Sequence, residues 1–510
     1  MRPSLHRWNS DPRFSAGHKH PNARFGALCR AFGGFGPAAV LGAAMSIGCA
    51  GNADEARVLE VPASYAFDSR LEEEGSSVSY SGQTLRHVLI EDLKAYIGSL
   101  TDAIDKGALV PVAGEVRKEL DFYYAFDSQT SGEVAITLST EPGTQQSTYN
   151  DVARGKTLKG KLAGNDPVGQ HKAWDKEFVG WDASEVTSPE SLLLVWFDEL
   201  DRMAVERAGG MIPMDPTGKP MSKVHVTPEG LDLQQLIQKF LGGAVAFSQG
   251  VDDYLDDSEP GKGLLSSNEE PDKMGKPYTT LEHAWDEAFG YFGAARDYGD
   301  YTDDEIAGKG GRAERKNGYF DTDQDGAIDL RSEINLGHSV NAAKRDRGSA
   351  KDAPTDFSGD TFKAFLRGRS IISSSDGDLS DSDLKALQAE RDTVVSNWEK
   401  AIAATVVHYI NDVLQDMTVF DTKDYDFYAH AKHWSELKGF ALALQFNPRS
   451  PLGEKRLREL HQQVGDAPVL PGHKDPKAYA KALRQTRALL QDAYGFDAAN
   501  IGDDQGKGGW

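Results

Sequence analysis

Apolar residues return at helical spacing in stretch after stretch of this 510-residue chain, and that period constrains the fold more than any other feature. Leu85, Val88, Leu89, Leu93, Tyr96, Ile97 and Leu100 form one stripe. Leu233, Leu236, Ile237, Phe240, Leu241, Ala244, Val245 and Phe247 form a broader one. Steps of three and four put such residues on one face of a helix, whereas a strand would need alternation. The same period predicts helices over Val116–Ala125, Leu192–Arg207, Thr279–Gly293, Leu330–Asp346, Phe362–Ile372, Leu384–Met417, Tyr425–Phe446, Glu454–Gln463 and Lys477–Tyr494. Ser188-Pro189-Glu190 supplies a cap, a proline suited to the first helical position and an acid for the dipole; Asn447-Pro448 stops another helix. The expected class is all-α: two helical-bundle halves with an inserted calcium-loop segment and long irregular loops.

A weak repeat suggests that the halves are related. Lys239-Phe240-Leu241-Gly242-Gly243-Ala244-Val245 and Lys400-Ala401-Ile402-Ala403-Ala404-Thr405-Val406 share a lysine, a small pair and a valine, and each precedes a helix bearing His-x-x-acid. The expected organisation is an N-terminal half over 81–300, an acidic-loop insertion and helix over 301–350, a C-terminal half over 351–497 and a flexible tail over 498–510.

Arg2, Arg7, Arg13, Lys19, Arg24 and Arg30 precede the Gly/Ala-rich apolar run Ala31–Gly48, which reads as an export signal over residues 1–48. Ser46-Ile47-Gly48-Cys49 resembles a lipobox, which makes Cys49 the lipidation site and residues 49–80 a lipid-anchor tether. The expected location is the bacterial periplasm, outer membrane or cell surface, with the membrane as a partner through the anchor. Cys29 and Cys49 are the only cysteines, so a mature chain would have no disulfide framework. The formal charge of −23 repels phosphate backbones and argues against nucleic acid as a partner.

Two constellations carry ligand chemistry. In the first, Asp321, Asp323 and Asp325 alternate before Gly326, Ala327 can offer a carbonyl, and Asp329 and Glu333 follow. Oxygen donors at this spacing suit Ca²⁺, a hard cation. Asp-x-Asp-x-Asp-Gly-x-x-Asp is similar to the shorter calcium loops of extracellular modules, since the twelfth position of an EF-hand would be Ser332. In the second, His283, Asp286 and Glu287 share a helix face, as do His430, His433 and Glu436. Paired helices projecting such groups inward could hold iron or another transition metal, or a small molecule; a polar core network is the alternative. No His-Glu-x-x-His, Gly-x-Ser-x-Gly, phosphate-binding loop or dinucleotide fingerprint occurs, so the reading leans away from an enzyme.

The segment His283-Ala284-Trp285-Asp286-Glu287-Ala288-Phe289-Gly290 resembles the imelysin-like superfamily of exported bacterial proteins, whose marker is Gly-x-His-x-x-Glu; Leu281 and Asp286 stand at its glycine and glutamate positions. Ser81-Gly82-Gln83, Trp285 to Tyr291, Asp329 to Asn335 and His433-Trp434-Ser435-Glu436 are similar to a domain family of unknown function in bacterial lipoproteins. The resemblance implies paired helical bundles on the envelope and, through the imelysin-like proteins, a link to iron or haem uptake. The leading expectation is a non-enzymatic metal- or small-ligand-binding lipoprotein with a structural calcium site. The alternatives are a His/carboxylate hydrolase, following the peptidase label of imelysin, and a surface interaction module with structural calcium alone.

Overall fold

A computed structural model describes residues 59–166 and 170–510. The expected signal segment and Cys49 lie outside the described residues. Among those that are described, fourteen α-helices and no strand occur, which is the all-α class. The first two, α1 (Ser81–Asp105) and α2 (Glu115–Tyr124), lead through an irregular excursion containing the single turns α3 (Tyr149–Val152) and α4 (Trp174–Glu177) to α5 (Pro189–Ala208). Then come α6 (Leu233–Leu241), α7 (Thr280–Phe292), the short α8 (Asp303–Ile306), α9 (Gly337–Arg347) and α10 (Phe357–Ser373). The chain finishes with α11 (Asp381–Thr418), α12 (Phe427–Ala443), α13 (Gly453–Val464) and α14 (Pro476–Tyr494).

Side-chain caps set several starts. Ser188 and Thr279 form capping boxes, while Asp232, Asp356, Ser380, Asp426 and Asp475 accept backbone N–H bonds at their helices. The 38-residue α11 is the axis of the fold and packs along α9, α10, α12 and α14. On the other side α1 packs against α2, α5, α6 and α7, and α6 joins the two groups by lying on α12. A main core of buried apolar residues runs from Tyr65 to Trp510 and is shared by the spans 81–300, 301–350 and 351–497, with Met221, Val226, Phe427 and Ala431 forming a small separate cluster.

Four segments depart from the sequence expectation. Leu231–Leu255 is helical, but beyond α6 it widens into π-helical turns at Gly242–Phe247 and Gly250–Tyr254. The first of these turns runs so close to α12 that a Cβ on Gly243 would lie 2.6 Å from the Ala443 Cβ. Gly243→Ala should therefore lower stability by about 1–3 kcal/mol through overpacking, read as a shifted urea midpoint. The helix expected over Leu330–Asp346 begins only at Gly337, because the preceding backbone bonds elsewhere: Asn335 N–H donates to Gly318 O and Leu336 N–H to Gly293 O. The ends are also docked. In the span read as a tether, Tyr65 is fully buried and stacks on Phe289 at 3.7 Å. In the span read as a tail, Trp510 is buried, and Asn411 of α11 donates to the carbonyls of Ile501 and Trp510.

Candidate functional site: an acidic loop and a cationic cavity

The acidic loop is the tip of a hairpin-like excursion between α8 and α9. Its stem is closed by an antiparallel bridge between Tyr319 and Ile334 and by Phe320 N–H donating to Glu333 O. At the tip, Gln324 adopts φ 60° and Gly326 φ 92°, the turn that lets alternate aspartates face one way. Asp321, Asp323 and Asp325 present carboxylate oxygens within 4.8 Å of one another, the one group of three or more ligating side chains so placed among the described residues. The Asp325 N–H bonded to Asp323 draws the Asp323 carboxyl pKa down, but desolvation and the charges of Asp325, Glu333 and Asp321 raise it overall. A divalent cation would relieve that repulsion, and the donors are the hard oxygens that Ca²⁺ prefers.

The remaining predicted loop residues hold the tip in place. Ala327 N–H donates to Asp325. Asp329 accepts from Gln146 Nε2, Arg331 and Ser332 Oγ. The buried Glu333 accepts the N–H groups of Thr322 and Asp329 at 2.7 and 2.8 Å. The irregular excursion after α2 grips the loop from outside: Thr144 bridges to Ile328, and Gln145 Nε2 donates to Asp325.

The histidine helices separate into different environments. On α7, Asp286 is fully buried, accepting from Tyr65 OH at 2.8 Å, Arg369 Nε at 3.0 Å and Ser79 N–H at 3.1 Å. Burial pushes its pKa up, while Arg369, Tyr65 and Ser79 pull it back. His283 bonds through Nδ1 to Ser79 O at 3.0 Å, stacks on Tyr278 and turns Nε2 toward Glu287 at 3.7 Å. Glu287 also accepts from Gln83 Nε2. On α12, His430 is fully buried between Phe420 and Tyr425 with neither nitrogen hydrogen-bonded, and burial lowers its pKa to about 4.

His433 instead pairs with α11, at 2.8 Å from Asp416 through Nδ1 and 4.0 Å from Asp412 through Nε2. Burial alone would lower its pKa, but the Asp416 bond and the surrounding carboxylates raise it. Glu436 lies 3.4 Å from Lys239. No hydrogen bond or ion pair joins the His283 set to the His433 set among the described residues. The partners on α11 have a sequence signature, since His408, Asp412 and Asp416 recur every four residues.

A cavity of about 440 Å³ opens between α1, α6, α9 and α12, and the stem of the acidic loop closes one side through Asn317, Tyr319, Ile334 and Asn335. Its charged lining is Lys94, Lys239, Lys344 and Arg345 against Glu91 and Glu436. The buried His338 also lines it; burial, then the nearby His87 and Lys239, lowers its pKa to about 3 and keeps it neutral. His338, Asn341 and Arg345 follow helical spacing on one face of α9, a pattern that could have marked the site in the sequence.

These features define the chain as an all-helical protein with an oxygen-donor loop built onto the wall of an internal cavity. Residues 62–304 match the family described as "Domain of unknown function (DUF4856)". The match runs from the docked N-terminal segment to the start of α8 and ends before the acidic loop, although the hydrophobic core continues without a break. No curated protein and no solved structure matches the chain.

Proposed function

We propose that this chain is a non-enzymatic, lipid-anchored protein of the bacterial envelope that binds a small ligand in its cavity, with Ca²⁺ held by Asp321, Asp323 and Asp325. The observation that carries the reading is continuity: the strand-like stem running from Asn317 into the acidic tip and back to Asn335 is also a wall of the 440 Å³ cavity. A cation that orders the tip thereby orders the wall. What supports the location, and a cargo connected with iron or haem uptake, is the resemblance of Ser46–Cys49 to a lipobox and of His283–Gly290 to the imelysin-like marker.

The small-ligand form is preferred to a transition metal on the histidine helices for two reasons. The Asp286 oxygens are occupied by Arg369, Tyr65 and Ser79, and His430 is packed among aromatic rings. Purified protein should retain about one calcium per chain by elemental analysis. Asp323→Ala should lower the melting temperature by several degrees in calcium and leave it unchanged in chelator. Equal shifts in both conditions, or protein that stays metal-free through titration, would overturn the calcium assignment.

A further inference from the structure

The protein is strongly acidic, at −23, yet the 440 Å³ cavity collects cations. Of the two carboxylates there, Glu91 accepts from Gln238 Nε2 at 2.6 Å and Glu436 pairs with Lys239 at 3.4 Å. Lys94, Lys344 and Arg345 make no side-chain hydrogen bond or ion pair among the described residues. Arg345 is the telling case. It is 8% exposed, and its Nε is buried with no partner. A guanidinium so placed has lost most of its hydration, and although the carboxylates of Asp412, Glu436 and Asp346 act on its charge from a distance, none of them pairs with it, an imbalance that an arriving anion would relieve.

The neighbouring cations add to the frustration. Desolvation and then the charges of Lys239, Lys94 and Arg345 lower Lys344 to about 8, although its side chain still reaches solvent. Burial followed by Lys239 lowers Lys94 as well. Ile90, Val340 and Phe440 give the same cavity an apolar wall, and its volume falls within the range of about 300–1,000 Å³ typical of small-molecule sites.

We propose that the cavity binds a small organic oxyanion, a di- or tricarboxylate or a phosphate monoester, whose charge is taken by Arg345, Lys344 and Lys94 and whose apolar body lies against Val340 and Phe440. The planar fork of Arg345 suits a carboxylate or phosphate face, and the two ammonium groups add charge without demanding one geometry. This deepens the ligand-binding reading above and rests on it.

The test is isothermal titration calorimetry of the calcium-equilibrated full chain with succinate, phthalate and phenyl phosphate, alongside inorganic phosphate, neutral benzyl alcohol and cationic benzylamine. At least one organic anion should bind one per chain, weakening severalfold between about 50 and about 300 mM salt. Lys344→Glu, at a side chain open to solvent, should weaken binding at least tenfold with a melting temperature no lower than that of the wild type, since it removes repulsion among the cations; Lys94→Glu should weaken binding in the same way. Arg345→Gln should do likewise where it folds. The proposal falls if none of the three anions binds, or if Lys344→Glu and Lys94→Glu both leave affinity within twofold. Binding of benzyl alcohol or benzylamine alone would overturn the anion assignment while keeping a ligand-binding cavity. No binding by any probe would overturn both.

Discussion

Arg369→Met should cost about 3–5 kcal/mol of stability, a large share of the roughly 5–15 kcal/mol that holds a folded protein together. Arg369 is fully buried at the junction of α10, α7 and the N-terminal segment. Its Nε bonds to Asp286 at 3.0 Å, one terminal nitrogen bonds to Glu282 at 3.1 Å and the other to Ser77 Oγ at 2.6 Å. Asp286 and Glu282 are themselves fully buried. Methionine fills much of the volume but strands Asp286 without a counter-charge and leaves Glu282 only Arg70, at 3.9 Å, and that desolvated charge is where the cost arises. Arg369→Lys should recover only part of the loss, because an ammonium cannot serve partners on three sides with a planar fork. Urea unfolding measures both, with Arg367→Ala as the control. Arg367 pairs with Glu390 at the surface and should change stability by no more than about 1 kcal/mol. Equal effects at the two positions would refute the view that Arg369 is the hub of the fold.

The contribution of Glu399 to stability should fall by roughly 3 kcal/mol as pH rises from about 4.5 to about 7, against an opposite trend from buried neutral histidines such as His338 and His430, which burial holds at about 3 and about 4. Glu399 lies on α11, is 1% exposed and has no cationic partner among the described residues; Asn447, Ser450 and Tyr494 bond to its oxygens instead. Burial raises its pKa from 4.5 to about 7, against the pull of those three bonds. The folded state therefore holds the proton more tightly than the unfolded chain does. The stabilisation is complete below 4.5 and is lost as pH climbs through the window to 7. Asp232 and Asp303, each raised to about 6 with burial as the leading cause, contribute with the same sign. The clean measurement is thus the difference between wild type and Glu399→Gln, whose side chain does not titrate. That difference should change by about 3 kcal/mol across the window in urea titrations at fixed ionic strength, whereas a constant offset would show that Glu399 stays ionised in the fold.

Most of the helical architecture is legible in the sequence because it rests on local rules. The stripe from Leu85 to Leu100 becomes α1, Ser188-Pro189 starts α5, and Asn447-Pro448 follows the end of α12. Alternation of Asp321, Asp323 and Asp325 likewise suffices to bring three carboxylates together, since a short turn does it without help from elsewhere. What the sequence hides is long-range partnership. Nothing near Asp286 announces that its counter-charge is Arg369 on α10. The four-residue spacing of His408, Asp412 and Asp416 marks an acidic face on α11, but it does not say that His433 will turn to that face rather than to His283. The cavity is harder still, since its cations come from α1, α6 and α9 and become neighbours only when three separately encoded stripes pack. The late start of α9 has the same origin: residues 330–336 carry a helical pattern, but the stem of the acidic loop claims their backbone groups.

The docking of Tyr65, Phe67, Val78 and Tyr80 into the core bears on how the molecule would stand on a membrane. A lipid on Cys49 would be joined to the folded body, which is described from Leu59 onward, by a chain that spans about 35 Å even when fully drawn out. That is no more than roughly the thickness of one bilayer's hydrocarbon core. On the proposed anchoring, such a leash would keep the body close to the lipid surface, and whatever the protein receives would have to reach it at the membrane face.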